Sequence, residues 1–578
     1  MARQFDVDVD QVRNVARRFV WKMKDGLARR QPCQIPTYVR SVATGSERGR
    51  FLAVDLGGSN CRICLVDLRG DATFAVVQAK HAVPPRLMVN PSHRPLFAFI
   101  AAKLADFLQT HVAIAPAAAA ATSDAPADGR YRLGFTFSFT CDQTSLARGT
   151  LIHWDKGWDI PDAVGRDPCA MLQEAIDERA LPVLVSVLAN DSVGTLLTRS
   201  YTSGAKQHGS TTTTTLAAVI FGTGTNAAYV EKLSNIRWLG SHARPDDDDN
   251  DDGDDDIMVV NTEWGCFDDE MTVLPRTPFD DELDARSTAP GSQMLEKRVS
   301  GLYLGELLRL TTLRLLRRGA LHMQVDGRSP LFRQGGLDSA FLSQLARQSD
   351  AAAAGRESDE KAVQLVSEAL LATNVTSTDV QCIRLVSAAI ARRAARLAGA
   401  SLAAVVIHSG RLDRQRRRRQ QHHAAAAAAA PPSPKPISTK LGKDADAGSR
   451  PSLFSQFRIR LGLLIHRILS LVRGGSVAAA TSPSPQPLPP APQPKGVESL
   501  DASTDEAESL DEEDVIDIGA DGSLIEFYPS FEADMRAAMR EVPEIGAEGE
   551  RRIRIGLAKD GSGVGAALMA QAAMASEE

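Results

Sequence analysis

One element occurs twice in this chain, about 160 residues apart. The first copy reads FLAVDLGGSNCRICLVD (residues 51–67), and the second reads LAAVIFGTGTNAAYVE (216–231). Each copy is an apolar run, a Gly-rich turn that ends in Asn, and a second apolar run, which is the pattern of a β-hairpin. The repeat therefore predicts an architecture built from two related sheets.

The turns of these hairpins are suited to phosphate. Glycine lets backbone N–H groups approach phosphate oxygens without obstruction by a Cβ. One such turn is weak evidence, because ordinary hairpin turns look alike. Two of them, with DGS (521–523) and KDGSGVG (559–565) further along, indicate two sheet-based halves that close on one nucleotide. Asp55, in the first turn, would suit the water shell of Mg²⁺.

Composition limits the class of protein. The 578 residues are enough for two or more domains, and a net charge of −6 predicts no general attraction to nucleic acid. The seven cysteines are scattered, which predicts reduced thiols and a cytoplasmic location. Cys61 and Cys64 form a C-x-x-C inside a predicted strand, where they point to opposite faces, so core packing is favoured over metal or redox chemistry.

Targeting signals are absent from the pattern. The N-terminus has no apolar core of a secretory signal, and no stretch reaches the roughly 18 apolar residues of a membrane span.

Helical spacing is found over residues 8–28, and a buried strand followed by a turn at Asn190-Asp191 leads into a helix. The segment around 521–523 is predicted to be a strand pair, and 560–565 a Gly/Ser turn before a final helix.

Two segments have the composition of insertions. Residues 244–256 are an acidic run, and residues 413–512 are rich in Arg, Ala, Pro and Ser, which predicts disorder. Within the second, residues 454–472 form a basic amphipathic pattern. Such a helix would make a weak contact with a membrane surface or a protein partner. An insertion that docks nowhere is the alternative.

Taken in order, the motifs resemble those of the hexokinase family, within the actin-like ATPase superfold, and in particular its fungal glucokinase-type members. The resemblance covers about 5–412 and 513–573. It rests on IPTYV (35–39), ATGSERGRFLAVDLGGSNCR (43–62), LGFTFSFTCDQTSLARGTLIHWDKGWDI (133–160), ANDSVGTL (189–196), FGTGTNAAYVE (221–231), NTEWGCF (261–267), APGSQMLEKRVSGLYLGELLRL (289–310) and GADGSLIEFYPSF (519–531).

The resemblance implies an α/β fold with a small and a large domain around a cleft. An N-terminal part (5–200) would carry the first phosphate motif, the sugar segment and the catalytic Asp. A C-terminal part (201–575) would carry the second phosphate and adenosine motifs, interrupted by the 413–512 insertion. The implied reaction is ATP-dependent phosphorylation of D-glucose or another hexose at the 6-hydroxyl, the first step of glycolysis, with Mg²⁺.

The resemblance also implies roles for individual residues. Asp191 would be the base and Lys156 would offset charge on the phosphates; read alone, Asp191 is an ordinary helix cap. Sugar hydroxyls would contact Ser138, Asp155, Lys156, Asn190, Asp191, Asn226, Glu263, Gln293 and Glu296. The nucleotide would contact Asp55, Gly57, Gly58, Ser59, Asn60, Arg62, Lys80, Gly222, Thr223, Gly224, Gly522 and Ser523. No protein metal site is predicted.

Three residues depart from the family pattern. Thr140 replaces a Pro, Asp155 replaces a sugar-contacting Thr, and Ala289 replaces an Asn. The charge of Asp155 keeps a second hypothesis open, that of a hexokinase-like regulator that binds sugar without efficient turnover. A third class is an actin- or chaperone-like ATPase, which the sugar motifs oppose.

Overall fold

The structure is a computed structural model that describes residues 1–112, 129–154, 157–204, 215–239, 256–350, 356–414, 416–417 and 515–577. The acidic run at 244–255 and nearly all of the 413–512 insertion, with its amphipathic segment 454–472, therefore lie outside the described residues. Among the described residues, no helix has the length and apolar character needed to cross a bilayer.

The strands form two principal sheets. The first has the order β4-β3-β2-β5-β8 and the second has the order β1-β11-β10-β9-β14-β15. Two short pairs, β6 with β7 and β12 with β13, complete the strands. Their bounds are β1 Ile35–Pro36, β2 Arg48–Leu56, β3 Asn60–Arg69, β4 Phe74–Ala82, β5 Tyr131–Phe137, β6 Cys141–Ser145, β7 Arg148–Leu151, β8 Val183–Ala189, β9 Ala217–Phe221, β10 Thr225–Lys232, β11 Ile257–Asn261, β12 Gln324–Val325, β13 Ala372–Thr373, β14 Ile516–Asp521 and β15 Ile553–Leu557.

The two sheets repeat one topology. In the first, β2, β3 and β4 form an antiparallel meander, and β5 and β8 then continue parallel to β2. In the second, β9, β10 and β11 form the meander, and β14 and β15 run parallel to β9. The sequence repeat is thus the first hairpin of each half, and the prediction of a duplicated sheet architecture is confirmed.

Helices cover both sheets. Their bounds are α1 Val9–Ala28, α2 Pro85–Met88, α3 Arg94–Phe107, α4 Pro168–Asp177, α5 Asp191–Gly204, α6 Pro278–Ala285, α7 Glu296–Val299, α8 Gly301–Arg317, α9 Ser339–Asp350, α10 Arg356–Leu370, α11 Ser377–Ser409, α12 Ser523–Phe527, α13 Phe531–Glu541, α14 Gly546–Arg551 and α15 Gly561–Glu577. The predicted first helix is confirmed as α1, which opens with a capping box between Asp8 and Gln11.

Two helices join the sheets through one shared core. Val193 and Leu197 of α5 and Val564 of α15 pack in the same buried cluster as Ala53 of the first sheet and Ala218 of the second. Separate clusters fill the outer faces of the two sheets. The helix that begins at Asp191 is therefore held from both halves of the molecule.

The crossing of α5 and α15 depends on glycine. A Cβ on Gly565 would lie 2.0 Å from the Cα of Gly194, a distance that only backbone movement could relieve. We therefore expect Gly565→Ala to lower the free energy of unfolding by about 1–3 kcal/mol. Urea unfolding measures this. Gly327→Ala is the control, because a Cβ there meets nothing within 4 Å, and it should change stability by less than about 0.5 kcal/mol. Equal effects of the two variants would contradict the crossing.

The C-x-x-C pair packs as predicted. Cys61 belongs to the cluster on one face of the first sheet and Cys64 to the cluster on the other face. Burial raises the pKa of each thiol to about 12, so both stay protonated at neutral pH.

Two predictions near the C-terminus are wrong. Residues 521–523 are no strand pair, because β14 ends at Asp521 and α12 begins at Ser523. The reason is that β14 lies parallel to β15, and parallel neighbours need a crossover rather than a hairpin. The predicted turn at 560–565 is wrong from Gly561 onward, because α15 begins there; only Asp560 lies in the turn that precedes the helix.

Candidate active site

A cavity of about 520 Å³ opens where the Gly-rich turns of both halves meet. The sequence-predicted residues that line it are Asp55, Gly57, Gly58, Ser59, Asn60, Arg62, Lys80, Ser138, Asn190, Asp191, Thr223, Gly224, Asn226, Glu263, Gln293, Glu296 and Gly522. Gly222 and Ser523 do not line it. Asp155 and Lys156 lie outside the described residues. One cavity thus gathers residues predicted for the sugar and residues predicted for the nucleotide.

Asp191 lies at the junction of a buried strand and a helix. The strand β8 ends at Ala189, and α5 begins at Asp191. Asn190 Oδ1 accepts hydrogen bonds from the backbone N–H of Ser192 at 2.9 Å and from its hydroxyl at 2.6 Å. Asn190 therefore acts as a capping side chain, although Asp191 Oδ1 also accepts from the Ser192 N–H at 2.8 Å. The positive end of the helix dipole stabilises negative charge at this place.

Side-chain amides connect the predicted sugar ligands. Asn226 Nδ2 donates to Asn261 Oδ1 at 2.9 Å and lies 3.4 Å from Asn190 Oδ1. Asn261 Nδ2 donates in turn to Glu263 Oε1 at 2.8 Å. This chain of hydrogen bonds sets which amide atoms remain available for hydroxyl groups, since each amide both donates and accepts. Asn261 was missed by the sequence prediction, although it is the first residue of the motif NTEWGCF.

Two of the residues predicted to bind the sugar have left-handed backbones. Glu263 has φ 46° and Gln293 has φ 57°, a conformation that costs a non-glycine residue on the order of 1–3 kcal/mol. The Gln293 loop is held by Asp269, whose carboxylate accepts from the backbone N–H of Gln293 at 3.3 Å and of Met294 at 2.9 Å. Burial raises the pKa of Asp269 to about 6. The strained loop is thus held in place by an acid that titrates near neutral pH.

The first Gly-rich turn is stabilised by the last helix. The Ser562 hydroxyl donates to Asp55 Oδ2 at 2.8 Å. The Arg62 guanidinium lies 3.4 Å from Asp55 and 3.3 Å from Asp560, and so bridges the two carboxylates. Ser562 also lines the cavity and was missed as a site residue, although it lies in the quoted turn KDGSGVG.

Two cations stand side by side on the edge of the cavity. Arg62 on β3 lies directly opposite Lys80 on the antiparallel strand β4, and both residues line the cavity. Like charges directly opposite each other on antiparallel strands repel, so an anion between them would be stabilising. Asp55 and Asp560 offset part of the charge of Arg62.

The second Gly-rich turn packs against the turn after β14. Gly522 has φ 113°, and a Cβ there would lie 2.4 Å from the carbonyl carbon of Phe221, so only glycine fits. The carbonyl of Gly222 accepts from the Gly301 N–H at 2.8 Å, which ties the turn to the start of α8. Gly222 therefore supports the turn, while Thr223 and Gly224 reach the cavity.

An unpredicted acid lies on the nucleotide side. Asp521 lines the cavity at the end of β14, and its burial raises its pKa. Its residue type could have been noticed in the quoted turn DGS. Of the family departures, Thr140 lines the cavity, whereas the Ala289 carbonyl accepts from Lys297 Nζ at 2.7 Å.

Family models match both halves of the chain. Two models described as Hexokinase match this chain, one over residues 1–201 and the other over 216–429 and 497–572. Among characterised relatives, glucokinase of Aspergillus niger is 36% identical over 100% of this chain and 97% of its own length. Glucokinase-1 of Saccharomyces cerevisiae is 32% identical over 98% and 95%.

Solved structures share the fold. A hexokinase from Schistosoma mansoni, complexed with glucose, superposes with a TM-score of 0.67 at 26% identity and covers 99% of this chain and 97% of its own. A second hexokinase structure gives a TM-score of 0.64 at 20% identity, again with 99% and 97% coverage. With matching models in both halves and full-length likeness to fungal glucokinases, the chain is a member of the hexokinase family.

Proposed function

We propose that this protein transfers the γ-phosphoryl group of ATP to the 6-hydroxyl of D-glucose, with other hexoses as further substrates. One observation supports this most directly. A single cavity contains the amide and carboxylate cluster around Asn226 and Glu263, the two Gly-rich turns, and Asp191. Phosphoryl transfer needs little covalent chemistry from the protein, so gathering both substrates against a base supplies most of the catalysis.

In this proposal the sugar binds to the hydrogen-bonded amides and acids. Asn190, Asn226 and Glu263 orient hydroxyl groups, and Gln293 and Glu296 complete the set. Asp191 accepts the proton of the 6-hydroxyl as that oxygen attacks the γ-phosphorus. A positioned carboxylate base contributes about 10²–10⁴-fold to the rate.

The phosphates bind to the two Gly-rich turns rather than to the residues that orient the sugar. Backbone N–H groups at Gly58–Asn60 and Thr223–Gly224 approach the phosphate oxygens, while the Gly57 N–H closes the first turn by donating to the Asn60 carbonyl at 3.1 Å. The adjacent Arg62 and Lys80 offset the phosphate charge. Lys156 would offset the charge that develops during transfer. The effect of Asp155, the sequence neighbour of Lys156, stays a prediction. Asp155→Thr would remove a carboxylate that repels the phosphates, and kcat would rise.

Magnesium would enter with the nucleotide. The described residues contain no cluster of three or more His, Cys, Asp or Glu side chains able to hold a metal alone. Asp55 and the half-buried Asp521 nevertheless line the cavity next to the phosphate turns, and carboxylate oxygen is the ligand type that Mg²⁺ takes alongside waters and nucleotide phosphates. When bound, Mg²⁺ neutralises charge on the phosphates, and these two acids would hold its water shell.

The domain boundaries 5–200 and 201–575 are proposed from the same motifs, with the 413–512 insertion outside the reaction. A cytoplasmic location is proposed from the seven free thiols.

Coupled ATP turnover of the pure protein, with and without glucose, tests the function. Turnover that requires glucose and yields glucose 6-phosphate is the expected result. Saturable glucose binding without turnover would instead indicate a sugar-sensing regulator, and ATP turnover that ignores glucose would indicate a different ATPase. Mannose and fructose in the same assay measure the hexose preference.

Glucose affinity should depend on pH through Asp269. Above pH 6 its carboxylate is ionised and holds the Gln293 loop strongly; below pH 6 the protonated acid accepts hydrogen bonds more weakly. We expect the KM for glucose to rise several-fold between pH 7 and pH 5. Asp269→Asn should have the raised KM at both pH values, measured at saturating Mg-ATP.

The neighbouring acid gives the control for this prediction. Glu270 forms an ion pair with Lys22 at 2.8 Å and does not contact the Gln293 loop backbone through any hydrogen bond found among the described residues. Glu270→Gln should keep the wild-type KM at pH 7 and move the rise in KM only slightly, to lower pH, because the charge of Glu270 is a minor cause of the raised pKa of Asp269. A pH dependence that survives in Asp269→Asn would assign the titration to another group.

A further inference from the structure

A second cavity, of about 440 Å³, lies apart from the active site and shares no lining residue with it. Its walls are α9, α11 and the loop that follows α12. Its volume falls within the range of about 300–1,000 Å³ typical of small-molecule sites. Nothing in the proposed reaction uses it.

The cavity has an apolar part and a polar part. Leu345 and Ala346 of α9, Leu385 and Ala388 of α11, and Pro529 supply the apolar surface. The polar groups come mainly from α11, where Gln381 and Arg384 lie three residues apart and so share one helix face. Ser387, Tyr528 and Ser530 complete the lining.

Arg384 carries hydrogen-bonding groups without a partner. Its side chain is 15% exposed, and its Nη1 lies 3.8 Å from the carboxylate of Asp359, which is too far for a direct hydrogen bond. Its Nε and Nη2 are buried and make no hydrogen bond to any described residue. Ser387 Oγ, in the same lining, is also buried without a hydrogen-bond partner among the described residues. A buried donor left without an acceptor is destabilising relative to a satisfied one.

The unpaired Nε–Nη2 edge of Arg384 is an edge through which two other arginines of this chain bind carboxylates. Arg309 donates from Nε and Nη2 to Glu306 at 2.7 and 2.6 Å, and Arg199 donates from the same two atoms to Asp517 at 2.9 and 2.5 Å. This edge presents two parallel N–H donors that match the spacing of two oxygens on a carboxylate or phosphate. At Arg384 the donors are present and the acceptor is missing.

We infer that this second cavity binds a small organic anion, in which a carboxylate or phosphate is attached to an apolar body. The anion is held by the Nε–Nη2 edge of Arg384, with Ser387 Oγ as a further donor. Because Nε and Nη2 are buried in the unbound structure, binding requires the guanidinium to turn this edge towards the cavity. The apolar body lies against Leu345, Leu385 and Ala388.

Isothermal titration calorimetry of the full chain, without sugar or nucleotide, tests this independently of the proposed reaction. The probes are octanoate, octyl phosphate and, as the uncharged comparison, 1-octanol. We expect saturable one-to-one binding of at least one of the two anions and much weaker binding of 1-octanol. The tighter of the two anions identifies the headgroup class. Absence of saturable anion binding, or equal binding of 1-octanol, would overturn the inference.

Variants locate the binding. Arg384→Gln should weaken the anion at least about tenfold, because a charge-assisted bidentate contact is lost. Arg392→Gln is the matched control, since Arg392 lies on the same helix and is also 3.8 Å from a carboxylate, that of Asp534, but is 61% exposed. It should bind like the wild type. Ala388→Trp should block the cavity and abolish binding, which covers the case in which Arg384→Gln does not fold. Unchanged affinity in a folded Arg384→Gln or Ala388→Trp protein would refute the site.

Discussion

Asp191→Ala should lower kcat for glucose phosphorylation by about 10²–10⁴-fold while changing the KM for glucose far less. The proton of the 6-hydroxyl would have no acceptor in the variant, whereas the amide chain through Asn226 and Asn261 would still hold the sugar. Steady-state kinetics at saturating Mg-ATP measure the two parameters separately. Circular dichroism and urea unfolding check that the variant keeps the overall fold and stability of the wild type, since Asp191 is the first residue of α5.

A second acid in the same cavity provides the control. Asp521 lies on the nucleotide side, so Asp521→Asn should act mainly on the KM for ATP and leave kcat within about tenfold of wild type. A folded Asp191→Ala protein with near-normal kcat would remove Asp191 from the mechanism. Equal losses of kcat in both variants would show that Asp191 contributes charge to the cavity rather than acting as the base.

Asp517→Ala should lower the free energy of unfolding by about 3–5 kcal/mol, because it leaves the largely buried Arg199 without its partner. The Asp517 side chain is fully buried on β14. Its carboxylate accepts from Arg199 Nε at 2.9 Å and Nη2 at 2.5 Å, from Arg554 at 2.9 Å and from Thr215 at 2.9 Å. Arg199 belongs to α5, so the ion cluster fastens the helix that begins with Asp191 to the strand that ends at the Gly522 turn.

The pH dependence of stability separates this charge effect from simple packing. Burial opposes ionisation of Asp517, but the hydrogen bonds and charge of Arg199, with Arg554 and Thr215, outweigh it and lower its pKa. A carboxyl group with a lowered folded-state pKa contributes stability that is present above its unfolded pKa, near 3.8, and is lost as the pH falls through the folded value. The difference in stability between wild type and Asp517→Ala should therefore shrink in acid.

Urea unfolding at pH 7 and at lower pH measures this difference. Asp281→Ala is the control, since the Arg276 and Asp281 side chains of its 2.5 Å ion pair are 64% and 47% exposed, and the pair should contribute far less to stability than the Asp517 cluster. If Asp281→Ala and Asp517→Ala lower the free energy of unfolding equally, the buried ion cluster contributes no more to stability than an exposed ion pair.

The strained residues of the site could not be foreseen from the sequence. Residue type and motif predict Glu263 and Gln293 as sugar-binding residues. The local sequence indicates neither their left-handed backbones nor the hydrogen bond from the Gln293 backbone to Asp269. Those properties arise from chain segments that meet only in the folded molecule. The same holds for Ser562, whose contact with Asp55 joins residues far apart in the chain.

Local pattern by itself determined much of this protein. The alternation around the Gly-rich turns predicted both hairpins, and the apolar spacing predicted α1, because periods of two and of three to four residues report which side of an element is buried. The ordered motifs also identified the family and most residues of the cavity. Tertiary structure decided that β14 continues the second sheet as a parallel strand, so that Gly522 meets the Phe221 turn and a helix follows. Tertiary structure also formed the second cavity and buried the hydrogen-bond donors of Arg384. Whether a buried donor finds an acceptor depends on which segments the fold brings near it, and sequence spacing does not contain that information.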